Sequence, residues 1–150
     1  MNSRILSLLQ KDSRLSVAEI GERVGLSTSA CHRRIRQLED EGVIEGYSAN
    51  LSKVALGYAI EVFVEVTLSG QSEALLDQFE KEAADCHDII ECHLMAGDAD
   101  YLLRVAAESP EAYEHLHRKV LASLPGVARL KSNFVLKSVK SYSGYPIKAG

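Results

Sequence analysis

Apolar residues recur with a helical period in three consecutive stretches near the beginning of the chain. The stretches are SRILSLLQKDSR, LSVAEIGERVGLS and TSACHRRIRQLEDEG. Ser16, with Glu19 three residues later, forms the capping-box pattern that begins a helix, and Gly25 is a typical residue to end one. Ser27 is suited to cap the third helix. We therefore predict three helices in a row, the last two joined by a short turn.

Beyond residue 57 the pattern changes from a helical to an alternating one. YAIEVFVEVTL alternates apolar and other residues, which predicts a half-buried strand. Next come a helix that begins after Ser72 and two strands, IIECHLMA and YLLRVAA, around a GDAD turn. A helix with Ser109 as cap and Pro110 in its first turn follows, and RLKSNFVLKSV is the last strand. This order, βαββαβ, predicts a ferredoxin-like domain.

The fold class that these patterns predict is α+β, in three parts. Residues 1–46 form a helix-turn-helix domain, and residues 47–57 form a linker strand and hinge. VIEGYSANLS, residues 43–52, has the pattern of a short strand and linker. Residues 58–150 form a ferredoxin-like domain.

Composition limits the class of protein without defining it. The 150 residues are 46% apolar and 25% charged, which fits one domain or two small ones. The net charge of -4 does not indicate a polyanion-binding protein as a whole, but a small basic patch can still bind a polyanion locally. Three cysteines suggest no disulfide framework, and neither a signal pattern nor a membrane-length apolar run is present. We expect a cytoplasmic protein with reduced thiols and no membrane partner.

The third predicted helix has an apolar face and a basic face. Cys31, Ile35 and Leu38 form its inward stripe, and between Ser27 and Leu38 there are three arginines and no acid. Guanidinium groups can pair with guanine edges or phosphates, and hydroxyls at a helix N-terminus suit phosphates. A solvated basic face is the alternative, but the packed helix before it favours DNA binding. The candidate DNA-binding residues are Ser27, Thr28, Ser29, His32, Arg33, Arg34 and Arg36.

The stretch CHDIIECH could suggest zinc, because it contains two Cys-His pairs. Cys92 and His93 are adjacent in a predicted strand, so they point to opposite faces and cannot chelate one ion together. The spacing also differs from the usual zinc patterns. We therefore expect no metal site, but a packed Cys92 and a surface or interface His93.

The GDADY stretch has three possible interpretations. Asp98 and Asp100 could be an acid-base pair, although no nucleophile accompanies them. A plain hairpin turn also uses Gly and Asp. The third interpretation is a ligand loop, in which the backbone N–H groups of Gly97 and Asp98 meet a carboxylate and an aspartate meets an ammonium. A free amino acid would satisfy both.

Taken together, the chain resembles the Lrp/AsnC ("feast/famine") family of transcription regulators over nearly all of its length. The resemblance rests on DSRLSVAEIGERVGLSTSACHRRIRQLEDEGVIEGYSANL, ECHLMAGDADYLLRV, LPGV and FVLKSVK, in this order and spacing. It implies an N-terminal winged helix-turn-helix, a ferredoxin-like effector-binding domain, dimers that pair their sheets and assemble into octamers, and an amino-acid effector.

The resemblance also implies roles for particular residues. Ser29, His32, Arg33 and Arg36 match the DNA-reading helix of the family. The effector-binding positions it implies are Gly97, Asp98, Asp100 and Tyr101, with Ser132 and Phe134 as a weaker match.

We therefore predict a sequence-specific DNA-binding regulator, not an enzyme, with no cofactor and with an amino acid as effector. Its partners would be double-stranded DNA and further copies of itself. Two alternatives stay open: a stand-alone amino-acid sensor or interaction module that does not read DNA, and an enzyme built on the ferredoxin-like domain.

Overall fold

The computed structural model describes residues 2–148, and the chain divides into two compact units. One unit comprises the residues up to Asn50 together with a C-terminal tail that starts at Val139. The other spans Leu51–Ser138. Among residues 2–148, no helix is both long and apolar enough to span a bilayer.

The first unit contains three helices, α1 (Asn2–Lys11), α2 (Val17–Val24) and α3 (Thr28–Asp40). The capping box at Ser16 and Glu19 is formed, and Gly25 ends α2 in the left-handed conformation, as predicted. The predicted inward stripe of α3 is buried, together with apolar residues of α1 and α2, in one core: Ile5, Ile20, Val24, Cys31, Ile35 and Leu38.

The second unit has the predicted βαββαβ order. Its elements are β1 (Ile60–Leu68), α4 (Glu73–Asp85), β2 (Ile89–Leu94), β3 (Tyr101–Ala107), α5 (Pro110–Lys119), a 3-10 turn (Leu121–Ser123) and β4 (Val127–Phe134). The sheet is antiparallel in the order β2-β3-β1-β4, which is the ferredoxin-like topology. Ser72 and Ser109 cap α4 and α5, and Pro110 begins α5, as predicted.

One face of this sheet packs against the helices, and the other bears charged side chains. Val62, Val64 and Val66 alternate toward the core as the pattern predicts. On the opposite face Glu61 is only 8% exposed. Its carboxylate accepts hydrogen bonds from Arg104 Nε and Lys53 Nζ, each at 3.1 Å, and Arg104 Nη1 donates to Glu91 at 2.8 Å.

Burial raises the pKa of Glu61, but the hydrogen bonds from Arg104 and Lys53 outweigh it and leave the pKa below its usual value. The outer face of the sheet therefore carries a chain of paired charges.

The prediction of a strand in the linker is wrong. No strand forms between α3 and β1, because no other segment of the described chain pairs with this backbone and a strand needs such a partner. Val43 and Ile44 instead donate their N–H groups to the carbonyl of Leu38 and close the end of α3. Residues 53–57 form turns, with the Tyr58 N–H donating to the carbonyl of Lys53.

The C-terminal boundary also differs from the predicted one. The prediction placed every residue from 58 to 150 in the second domain. Residues 149 and 150 lie outside the described residues, and so does residue 1 of the predicted first domain. Residues 139–148 instead belong to the first unit, where Gln10 Nε2 donates to the carbonyl of Tyr145 at 2.8 Å. This contact joins residues 135 apart in sequence, so no local pattern could predict it.

Candidate DNA-binding surface and effector loop

A tight turn holds α3 against α2. The Leu26 N–H donates to the carbonyl of Gly21 at 2.8 Å, and a Cβ on Gly21 would lie 2.8 Å from the carbonyl oxygen of Leu26. Ser27 then caps α3, with its Oγ accepting from the Ala30 N–H at 3.2 Å. A glycine at position 21 therefore sets how closely the turn approaches α2.

The side of α3 that points away from the core presents exposed polar groups. Ser29, Arg33 and Arg36 are exposed there, with Thr28 and His32 exposed beside them. Among the described residues, neither Arg33 nor Arg36 takes part in an ion pair. Two guanidinium groups on one helical face are thus available to an external anion.

Arg34 points in another direction. It is half-buried, and its Nη1 donates to Asn2 Oδ1 on α1 at 3.1 Å. Sequence reasoning placed all three arginines in one DNA-binding set, but the structure separates Arg34 from Arg33 and Arg36.

The predicted effector loop connects β2 to β3. It is closed by a hydrogen bond from the Met95 N–H to the carbonyl of Asp100 at 2.9 Å. Gly97 and Asp98 lie at the exposed tip, and among the described residues their backbone N–H groups donate to no other group. The tip therefore offers two free amides and one exposed carboxylate.

Asp100 anchors this loop to the end of β1. Its Oδ2 accepts from the Leu68 N–H at 2.8 Å, and its Oδ1 accepts from Gln71 Nε2 at 3.1 Å. The N–H of Asp100 itself donates to the carbonyl of Val66 at 2.9 Å. No sequence pattern indicated Gln71, because its contact with Asp100 joins residues in different connections of the fold.

Two protein-family models match this chain, one over its N-terminal part and one over its C-terminal part. Residues 2–45 match winged helix-turn-helix DNA-binding domains, and residues 61–145 match the Lrp/AsnC ligand binding domain. The chain belongs to the Lrp/AsnC family. It is therefore a transcriptional regulator with a DNA-binding and a ligand-binding domain, and the predicted fold class is confirmed.

Relatives agree with this assignment over nearly the whole chain. The regulator is 42% identical to the Bkd operon transcriptional regulator of Pseudomonas aeruginosa, over 96% of this chain and 94% of the relative. It is 39% identical to the leucine-responsive regulatory protein of Escherichia coli K12, over 99% and 90% respectively.

Solved structures give the same result. A Neisseria meningitidis transcriptional regulator in complex with L-Met superposes with a TM-score of 0.91 at 32% identity, covering 97% of this chain and 94% of that one. An AsnC family regulator from Agrobacterium tumefaciens has a TM-score of 0.89 at 34% identity, covering 95% and 93%.

Tyr101 of the regulator lies in the core. Its ring packs on Phe79 with 4.5 Å between centroids, and its hydroxyl donates to Glu80 Oε1 at 2.6 Å. Burial and the neighbouring Glu80 carboxylate raise the pKa of Tyr101 well above its usual value. Within one chain this side chain is therefore buried against α4 and is not presented at the tip of the loop.

Ser132 and Phe134 lie on β4, away from the loop. The Ser132 hydroxyl is hydrogen-bonded to the Tyr113 hydroxyl, and Phe134 meets the Tyr113 ring edge-on at 5.1 Å. Because β1 separates β4 from β3, strand spacing puts Ser132 roughly 14 Å from Asp100. One chain thus does not bring the two halves of the predicted effector set together, and sequence reasoning did not identify Tyr113.

The Cys-His stretch is arranged as strand geometry predicted. Cys92 packs against the core, whereas His93 is exposed with its Nε2 3.2 Å from Glu91 Oε2. Within residues 2–148 no three His, Cys, Asp or Glu side chains gather as metal ligands would.

Proposed function

We propose that α3 is the recognition helix and that Arg33, Arg36 and Ser29 contact DNA in the major groove. The observation that carries this proposal is the pair of exposed arginines without an ion-pair partner among the described residues, on the face opposite the core. Thr28 and His32 flank this face, and Ser27 places the first turn of α3 where its N–H groups suit a phosphate. Two copies would read half-sites about 34 Å apart, or a multiple of that distance.

The three arginines of α3 provide a matched test. Arg33→Ala is expected to weaken binding to a selected duplex by about 1–3 kcal/mol if Arg33 contacts a base. Arg34→Ala removes the same charge from the side bonded to Asn2 and is expected to cost less affinity. Gel-shift titrations with both variants measure this. Equal losses for the two variants would mean that charge alone matters and that α3 does not read bases with Arg33.

We propose further that the second domain binds a free amino acid at the loop of Gly97, Asp98 and Asp100. Relatives named as leucine-responsive, and a similar structure in complex with L-Met, support this ligand class. The free amides at the tip suit the ligand carboxylate. The exposed Asp98 carboxylate, with the remaining lone pairs of Asp100, suits the ammonium.

The spacing of the effector residues supports assembly. A free amino acid is shorter than the roughly 14 Å between Asp100 and Ser132, estimated from strand geometry. A compact site that uses both groups of residues is therefore favoured when the two groups come from different copies. Following the family resemblance, we propose dimers that assemble further, to octamers, with ligand binding coupled to DNA binding by about 1–3 kcal/mol.

Two aspartate variants test the effector site. A thermal-shift screen of the twenty amino acids identifies the ligand, because a ligand that binds the folded state raises the melting temperature. Calorimetry is expected to show weaker binding of that ligand to Asp98→Asn, whose melting temperature is unchanged. Asp100→Asn is expected to bind the ligand more weakly and also to loosen the loop. Wild-type affinity in both variants would refute the assignment.

We also propose that the regulator acts in the cytoplasm, without catalysis and without a cofactor. When the stabilising amino acid is incubated with the protein, we expect the amino acid to stay chemically unchanged. DNA affinity that does not fall as salt is added would instead favour a sensor that does not contact DNA.

A further inference from the structure

The charges of the two units differ in sign. Residues 2–50 carry seven Lys/Arg and seven Asp/Glu, so the helix-turn-helix segment by itself has no net charge. The tail, residues 139–148, adds Lys140 and Lys148 and no acid, which brings the first unit to +2. The second unit, Leu51–Ser138, carries eight basic and fourteen acidic residues, a balance of -6. The net positive charge of the DNA-binding unit therefore comes from its tail.

The tail is seated on α1 by a specific contact. Gln10 Nε2 donates to the carbonyl of Tyr145, and Gly144 approaches so closely that a Cβ there would overlap Gln10 Cδ. The φ of Gly144 is +106°, a conformation that other residues rarely adopt. The seat thus depends on a glycine at this position.

The exposed side chains of the tail suit a nucleic-acid backbone. Lys140 and Lys148 are exposed, as are Tyr142 and Tyr145, which are 77% and 76% exposed and stack edge-to-face with 5.6 Å between ring centroids. Lysines contact phosphates, and tyrosine hydroxyls also donate to phosphate oxygens.

The helix that seats the tail, α1, places no negative charge beside it. α1 carries Arg4 and Lys11 and no acid. Its first residue, Asn2, is hydrogen-bonded to Arg34 of α3. The acids of this unit lie elsewhere, on α2, in the turn before it, and at and beyond the C-terminal end of α3.

We propose that the C-terminal tail is a second DNA-binding element, which contacts the phosphate backbone through Lys140 and Lys148 and so supplies affinity that does not depend on sequence. Recognition by α3 would then set the register, while the tail holds the unit on the duplex. This inference rests on the DNA-binding activity of the family and not on the assignment of individual bases to Arg33.

The test measures DNA affinity against salt concentration for a duplex selected from a random pool by the wild-type protein and for an unrelated duplex of equal length. In Lys140→Ala/Lys148→Ala, affinity for both duplexes is expected to fall by a similar factor. The slope of log K against log salt should become shallower by up to about 2, since each lost phosphate contact removes roughly 0.9. Lys81→Ala/Lys119→Ala is the matched control, because it removes two exposed lysines from the second unit.

A third variant separates the seat from the charge. Gly144→Val keeps both lysines but disfavours the positive φ, so a shallower slope is again expected. An unchanged salt slope in Lys140→Ala/Lys148→Ala would overturn the proposal. A change of the same size in Lys81→Ala/Lys119→Ala would also overturn it. A loss accompanied by an altered oligomeric state in sedimentation would also overturn it, since the tail would then act between copies of the chain. If the Arg33→Ala test fails while the tail variants behave as expected, the tail proposal stands on its own.

Discussion

The two units of this regulator use their charged side chains in opposite ways. On α3 of the first unit, Arg33 and Arg36 are exposed, and among the described residues no carboxylate neutralises them. In the second unit Glu61 is bonded to both Arg104 and Lys53, and Asp100 holds the end of β1. Unpaired charges on one helix suit a large polyanion, whereas paired charges position strands and loops. The same residue types are therefore left without ion-pair partners on α3 of the first unit and hold strands and loops together in the second.

Removing a paired charge is expected to have the largest effect on stability. Glu61→Ala should lower the free energy of unfolding of the second unit by about 2 kcal/mol, because hydrogen bonds between charged groups are lost and Arg104 and Lys53 lose their shared partner. Glu65→Ala, on the same strand, is the control. Glu65 is half-exposed and lies 3.5 Å from Lys131, so its loss should cost less than about 1 kcal/mol. Urea unfolding of both variants measures the difference, and equal costs would contradict the importance of the buried network.

The local parts of this arrangement could be predicted from the sequence. Helix caps such as Ser16 and Ser27 involve neighbours three residues away, and the alternation of β1 reports which side chains face the core. The pairing of charges could not be predicted. Glu61 and Arg104 are 43 residues apart. Arg34 differs from Arg33 only by its direction around the helix axis, and the position of α1 determines that Arg34 is the one that is hydrogen-bonded.

The effector loop shows the same limit. Its position between β2 and β3 followed from the pattern, but the partners of Asp100 depend on how β1 ends beside β3. The missing linker strand has a related cause, since alternation predicts a strand only where another backbone pairs with it.

A tight glycine in the first unit provides the next test. Gly21→Ala places a Cβ 2.8 Å from the Leu26 carbonyl oxygen, and we expect a net loss of about 1–2 kcal/mol after the gain in helix propensity is subtracted. Gly46→Ala is the control, because nothing lies within 4 Å of its added Cβ and its φ is not positive. Denaturation with gel shifts measures both. A fully stable Gly21→Ala variant would show that the turn before α3 has room to move.

Acid should weaken the paired network before it affects the unpaired face. The pKa of folded Glu61 lies below its usual value of 4.5, so its carboxylate stabilises the fold above that pH, and this contribution is lost as the pH falls through the lowered pKa. The stability advantage of the wild type over Glu61→Gln is therefore expected to shrink as the pH drops below 4.5. Urea midpoints at neutral pH and on both sides of 4.5 test this. A constant difference at every pH would mean that the ionised form of Glu61 does not stabilise the fold.

The smallest expected change in stability belongs to the exposed arginines. Arg33→Ala should change the free energy of unfolding by less than about 0.5 kcal/mol, since its guanidinium has no ion-pair partner among the described residues to leave behind. Arg34→Ala is the comparison, because it breaks the hydrogen bond to Asn2 and should cost about 1 kcal/mol. Thermal melts and urea curves of the two variants, run without DNA, measure this difference. If Arg33→Ala destabilised the fold as much as Arg34→Ala, then Arg33 would have a structural role and the contrast between the two units would fail.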